Sequence, residues 1–258
     1  MIGSTNAGDD PADGWFPESV AAHYDDPGGE NLPEVVTPAV DVLEDLADGP
    51  ALEFAVGTGR IAAPLAARGV SVSGIELSRA MAARIAGKPG GDAVGIVIGD
   101  MKTTRVAGQF SIVYLVFNTI SNVTTQDGQV DVFGNAAAHL RPGGLFLVEV
   151  GVPDLRRLPP GQDTVPFTVA PGTAGGYVGV DQYDVVTQQF TSNHITVSPD
   201  GTGRFRRIPF RYVWPAEMDL MARIAGMSLK HRWADWDRSE FTAESTKHVS
   251  IWETDRSV

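Results

Sequence analysis

Ala51-Leu-Glu-Phe-Ala-Val-Gly-Thr-Gly-Arg60 runs from an apolar stretch through a Gly-Thr-Gly turn into the Ala/Leu-rich segment that ends at Gly69. A second apolar run, Val70-Ser-Val-Ser-Gly-Ile-Glu76, follows and closes on a carboxylate. The pattern predicts strand, tight glycine loop, helix and second strand, which together make a nucleotide-binding βαβ unit. Gly57 and Gly59 lack a Cβ, so the backbone can take positive φ and let a ligand approach closely. Glu76, at the tip of the second strand, stands where a ribose diol needs an acceptor for two hydroxyls.

Two ligand classes fit this unit. Gly57-Thr-Gly59-Arg-Ile-Ala62 with Glu76 nineteen residues after Gly57 satisfies the dinucleotide fingerprint, in which a pyrophosphate rests on a helix N-terminus. Glu53 argues against it, because a carboxylate near the carboxyl end of the first strand repels a pyrophosphate. S-adenosylmethionine carries no phosphate and offers an ammonium and a sulfonium that an acid attracts. The plainer alternative for Glu53 is an acid bonded to loop amides with no ligand contact.

Taken in order, these motifs resemble the class I S-adenosylmethionine-dependent methyltransferases. Their first motif, acid-x-Gly-x-Gly-x-Gly, stands here as Glu53-Phe-Ala55-Val-Gly57-Thr-Gly59, with Ala55 replacing the first glycine. The likeness continues through Glu76, through Gly99-Asp100-Met101 and through Leu140-Arg-Pro-Gly-Gly144, covering roughly residues 33 to 151. It implies that Glu53, Gly57 and Gly59 hold the methionine end of the cofactor, with Ala55 and Arg60 also in the cofactor site. It further implies Glu76 for the ribose hydroxyls, Asp100 for the adenine amino group, and Leu77 and Met101 for the adenine faces. An N-terminal segment with an aromatic residue often folds over the cofactor in such proteins, which makes Tyr24 a lid candidate; a tyrosine packed on its own helix is the alternative.

The remaining chain alternates between the two hydrophobic periods. Pro33 to Leu46 repeats Val36, Val40, Leu43 and Leu46 at helical spacing, and Phe110-Ser-Ile-Val-Tyr-Leu-Val116 reads as a strand buried on both faces. Arg60 to Arg68 is expected as a helix bent at Pro64, Ser78 as the cap of a helix through Ile85, and Leu145 to Val150 as the fifth strand. Parallel strands need crossovers, so helices should cover both faces of the sheet. From Pro159 to about Arg211 the composition shifts to Thr, Val, Gln, Tyr and Gly with turn signals, which predicts an antiparallel insertion. A closing antiparallel pair over Leu229 to Trp236 and His248 to Glu253 completes the sheet.

The expected fold is α/β: a Rossmann-like, mostly parallel seven-stranded sheet with helices on both faces, plus an antiparallel β cap. The division is a disordered tail over 1–14, an α/β cofactor domain over 15–158 and 212–258, and the cap over 159–211. The chain has 258 residues, 32 acidic against 20 basic side chains, a formal charge of −12 and no cysteine. That balance disfavours nucleic acid as a partner, and the short basic cluster Arg204-Phe-Arg-Arg207 reads as an exposed strand face. Without cysteine there is no disulfide framework or thiolate metal site. No metal, membrane or nucleic-acid partner is expected. The chain reads as cytoplasmic, and a homodimer is open.

Ligands of open α/β sheets bind outside the carboxyl ends of the strands, which brings Phe117 and Asn118 to the same crevice as Gly57 and Glu76. Phe117 is therefore expected beside the cofactor. For the acceptor the candidates are Tyr24, Asn118, Glu149, Arg211, Tyr212 and Trp214, with Tyr24, Asn118 and Glu149 also considered for catalysis. Arg211, Tyr212 and Trp214 suit cap packing equally well, and His23 and His194 are lesser base candidates. The functional expectation is methyl transfer from S-adenosylmethionine to nitrogen or oxygen of a small molecule. The alternatives are a nicotinamide-dependent oxidoreductase and a member of the fold that binds the cofactor without methylating.

Overall fold

Ala51–Phe54 forms strand β1, buried at all four positions, and it lies between Val72–Glu76 (β2) and Phe110–Leu115 (β4), parallel to both. With Gly95–Ile98 (β3), Leu140–Gly151 (β5), Met227–Trp233 (β10) and Lys247–Thr254 (β11) it builds a seven-stranded sheet in the order β10-β11-β5-β4-β1-β2-β3. β11 runs antiparallel to both β5 and β10, and the other pairings are parallel. The computed structural model describes residues 16–26, 32–172 and 175–255. The tail expected over 1–14 lies outside them.

Side-chain alternation sorts the core into two layers. Leu52, Phe54, Val113, Leu115, Phe146 and Val148 face one side, where they meet Val132 and Phe133 of helix α5 (Gln126–His139) and Met218 and Met221 of α6 (Pro215–Ile224). On the other side Ala51, Ile112, Tyr114, Leu145 and Leu147 meet Val40 and Leu43 of α2 (Pro33–Leu46) and Leu65 of α3 (Ala62–Ala67). Burial on both faces explains why Phe110–Leu115 carries no polar alternation.

Three local expectations need refinement. Helix α3 is only six residues long, and Pro64 is its third; Ala63 N–H and Leu65 N–H donate to the carbonyls of Gly59 and Ile61, and Pro64 between them has no N–H to give. Ser78 does cap helix α4, its Oγ accepting from Met81 N–H at 3.2 Å, but the regular helix covers Arg79–Ala82 and gives way to turns before Ile85. The turn Arg141-Pro-Gly-Gly144 is absorbed into β5 as an irregularity of register between Phe110 and Ile112 of its neighbour.

Between β5 and α6 the chain forms a separate four-stranded antiparallel sheet, Thr164–Gly172 (β6), Gly175–Asp184 (β7), Gln189–Val197 (β8) and Gly203–Arg211 (β9), in meander order. This is the expected cap. Arg204, Phe205, Arg206 and Arg207 are exposed on β9. The cap is tied to the α/β body through Arg211, which is 4% exposed and donates to Gln129 Oε1 at 2.5 Å and to Glu217 Oε1 at 2.7 Å. No helix among the described residues is long and apolar enough to cross a membrane.

Candidate active site

The turn after β1 builds the floor of the site. Gly57 sits at φ +59°, and its N–H donates to Glu76 Oε2 at 2.7 Å, while Ser78 N–H donates to Glu76 Oε1 at 2.8 Å. The carboxylate ending β2 therefore braces the loop ending β1. Ala55, where the motif usually has glycine, also adopts positive φ, +51°, a conformation costing an L-residue about 1 kcal/mol. The substitution keeps the backbone shape and retains the strain.

Across the crevice, β4 ends in two successive left-handed residues, Phe117 at φ +55° and Asn118 at φ +60°. Such strain persists only where the surroundings enforce it. Glu149 supplies the enforcement: its Oε2 accepts from Phe117 N–H at 3.0 Å, and its carbonyl accepts from Asn118 N–H at 3.3 Å. Asn118 Oδ1 in turn accepts from Gly151 N–H at 2.6 Å. The Arg60 guanidinium lies 3.7 Å from the Phe117 ring centroid and 5.8 Å from that of Tyr24.

These parts surround a cavity of about 910 Å³. Tyr24, Ala55, Gly57, Glu76, Leu77, Asp100, Met101, Phe117 and Asn118 all line it. A small side chamber of about 40 Å³ is walled by Glu53 and Arg60 together with Tyr24, Ala55, Gly57 and Phe117. Gly59 lines neither space and instead packs its backbone against Ile85. Near the mouth, Asp100 accepts from Lys102 N–H at 2.9 Å and pairs with Lys102 Nζ at 3.2 Å. The N-terminal segment closes one side: Thr58 Oγ1 donates to Asp25 at 2.6 Å, Lys88 pairs with Asp25 at 2.7 Å, and Ser78 Oγ donates to the Phe16 carbonyl at 2.7 Å.

Burial pushes the Glu53 carboxyl up to about 8, against a lowering by the Tyr114 hydroxyl that donates to it at 3.0 Å and by Arg60. Glu53 is therefore protonated over much of the neutral range when nothing positive lies against it.

Four expected acceptor-side residues lie elsewhere. Glu149 does not face the cavity: it shares the β5 face of Leu145 and Leu147, is 7% exposed, and its Oε1 accepts from Trp236 Nε1 at 3.0 Å, with Lys247 Nζ at 3.7 Å. Burial raises its carboxyl above the usual range. Arg211 is spent on the cap junction, Tyr212 is buried between Tyr183 and Trp214, and Trp214 is the residue preceding α6. The cap instead lines the cavity with Phe167, Asp181, Phe190, Ser192, His194, Ile208 and Phe210. Of these only His194 was a sequence candidate. The alternation of Phe190, Ser192 and His194 along β8, and of Ile208 and Phe210 along β9, was the available signal.

Comparison with known proteins agrees with this construction. A family model described as a methyltransferase domain matches residues 51–144. The CcbJ methyltransferase of Streptomyces caelestis is similar at 33% identity over 94% of this chain and 99% of its own, with a TM-score of 0.83. An S-adenosylmethionine-dependent methyltransferase of Clostridium acetobutylicum shares the fold at 12% identity, 91% and 97% coverage and a TM-score of 0.73. So does CalS10 of Micromonospora echinaspora, an amino pentose methyltransferase solved with S-adenosylmethionine, at 17% identity, 92% and 97% coverage and a TM-score of 0.63. No curated protein matches by sequence. The chain belongs to the class I S-adenosylmethionine-dependent methyltransferases. It is an enzyme of that reaction, and S-adenosylmethionine rather than a nicotinamide dinucleotide is its cofactor.

Proposed function

We propose that the enzyme methylates nitrogen or oxygen of a small molecule enclosed between the carboxyl edge of the seven-stranded sheet and the cap. The observation carrying this reading is a single cavity whose one wall is the Gly57 turn with Glu76 and Asp100, and whose other wall is the cap face of Phe190, Ile208 and Phe210. About 910 Å³ is room for a nucleoside-sized cofactor and a compact metabolite together.

The residues present fit the cofactor. Glu76, fixed at the end of β2 by the two loop amides and lining the cavity, is the carboxylate that suits a ribose diol. Glu53 suits the methionine ammonium, whose charge restores the ionised carboxyl. Leu77 and Met101 offer apolar faces to the adenine, and Asp100 an acceptor for its amino group. The bound group supplies an electrophilic methyl; the protein aligns donor and acceptor, and such alignment is worth on the order of 7–11 kcal/mol in well-oriented pairs. Tyr24 and Asn118 border the space between the two binding regions, and Arg60 is held against Phe117 beside the Glu53 chamber.

Calorimetry with S-adenosylhomocysteine, followed by transfer of radiolabelled methyl to a metabolite panel, tests the reading. Binding followed by labelling of small acceptors is expected. Binding of NAD in preference to S-adenosylhomocysteine, or labelling confined to protein or nucleic acid, overturns it.

A further inference from the structure

On the cap side of the cavity one carboxylate stands out among aromatic and aliphatic neighbours. Asp181 of β7 and Ser192 of β8 are register partners, as are Gly179 and His194, so the side chains of Asp181, Ser192 and His194 rise from one face of the cap sheet. All three line the cavity together with Phe167, Phe190 and Phe210. Ser192 holds the Asp181 carboxyl down, but Asp181 Oδ1 is buried and has no hydrogen-bond partner. A buried carboxylate oxygen without a donor is costly, and its cost is relieved by a ligand that brings one.

His194 is the second half of the arrangement. Its ring is held edge-on by Phe167, with centroids 5.6 Å apart, and its Nδ1 lies 2.5 Å from the Tyr177 hydroxyl. With the ring proton on Nδ1 and donated to the Tyr177 oxygen, Nε2 keeps its lone pair for a proton from the ligand.

We propose that Asp181 and His194 form the acceptor subsite and that the acceptor is a protonated amine: Asp181 Oδ1 receives its ammonium, and His194 Nε2 takes one proton from it. This rests on the methyl-transfer reading above. The freed nitrogen lone pair then forms a bond to the methyl carbon as the carbon–sulfur bond breaks, the electron pair of that bond returning to sulfur as a neutral thioether. The proton stays on His194 until solvent removes it. An alcohol brings no cation to Asp181 and so leaves the buried carboxylate uncompensated. Burial, and after it Arg206, holds the His194 imidazole below its ordinary range, so it is neutral and ready to accept at physiological pH. Burial raises the Asp181 carboxyl, with Ser192, Arg157 and His194 opposing; Arg157 meanwhile donates to the Pro166 carbonyl at 3.1 Å.

The test uses radiolabelled S-adenosylmethionine and a panel of secondary amines and amino sugars, each beside its hydroxyl isostere. We expect the wild-type protein to label amines with kcat/KM at least about tenfold above the isosteres, the scale of a charged hydrogen bond. Asp181→Asn should raise the amine KM by about tenfold or more, and His194→Gln should act chiefly on kcat, while both variants bind S-adenosylhomocysteine like wild type. Labelling of hydroxyl acceptors only, labelling of no amine in the panel, or an Asp181→Asn protein with unchanged amine KM overturns the proposal. The wild-type comparison of amine with isostere stands even if a variant misfolds. Failure of the inference leaves S-adenosylhomocysteine binding and the labelling of other small acceptors intact, whereas failure of the methyl-transfer reading abolishes that binding or confines the label to protein or nucleic acid.

Discussion

Glu76 accepts the Gly57 N–H at 2.7 Å across nineteen residues of sequence, so the carboxylate at the end of β2 holds the glycine turn at the end of β1. Glu76→Ala then removes both the proposed ribose acceptor and the brace, and S-adenosylhomocysteine should bind about ten- to a hundredfold more weakly by calorimetry. Glu76→Gln keeps an acceptor oxygen but must offer N–H to one of two donors, so its loss should be of similar size. Unchanged affinity in both variants would remove Glu76 from the cofactor site.

Ala55 carries the strain that glycine in its place would not. Ala55→Gly should relieve about 1 kcal/mol at φ +51°, partly offset by the greater freedom of glycine in the unfolded chain. Urea denaturation should show equal or higher stability, and a clear loss would mean that the Ala55 methyl makes packing contacts that outweigh the strain.

Gly179 leaves room for the far end of the Phe167 ring. A Cβ there would stand 2.2 Å from Phe167 Cζ, so Gly179→Ala must displace the ring that supports His194. Acceptor KM or kcat should change while affinity for S-adenosylhomocysteine stays near wild type. Equal weakening of both ligands would show that the cap face and the cofactor floor are not separable.

Arg211 ties the cap to the α/β body through Gln129 and Glu217. With 4% of its side chain exposed and Glu217 at 14%, Arg211→Met leaves a half-satisfied carboxylate at the junction, a loss of about 3 kcal/mol. For a chain of this size the melting temperature should fall by roughly 6–12 °C. A fall of less than a degree, with acceptor KM raised instead, would return Arg211 to the substrate wall.

Two buried groups give stability opposite pH trends. Glu53 is raised from 4.5 to about 8, so the native state holds a proton the unfolded chain releases, and stability falls as pH climbs through that interval. His248 is lowered from 6.5 to about 4, chiefly by burial and then by Arg232, so stability is full above 6.5 and is lost as pH drops towards 4. Between 4.5 and 6.5 the trends oppose each other. Chemical denaturation across pH should therefore show a broad, weakly acidic maximum, and Glu53→Gln should make the decline on its alkaline side shallower, leaving the contributions of Glu149 and Asp181. A Glu53→Gln profile that declines from 6.5 to 8 as steeply as wild type would place the titration on another group.

The glycine turn, the order of strands and helices, and the carboxylate ending β2 were all readable from sequence, because each depends on neighbours a few residues away: apolar period, glycine, cap residue, strand end. The insertion was readable as well, since its turn signals and composition are local. What Glu149 faces was not. Its direction depends on the register of β5 between β4 and β11 and on Trp236, eighty-seven residues away in sequence, supplying a donor to its buried oxygen. A one-residue change of register would have turned it to the other face of the sheet. The cap wall of the cavity is likewise tertiary: alternation along β7, β8 and β9 says which side chains share a face, and only the docking of that face over the sheet's carboxyl edge brings Asp181 and His194 into the same cavity as Gly57 and Glu76. Long-range burial makes those choices, because the free energy that settles them comes from surfaces no local window contains.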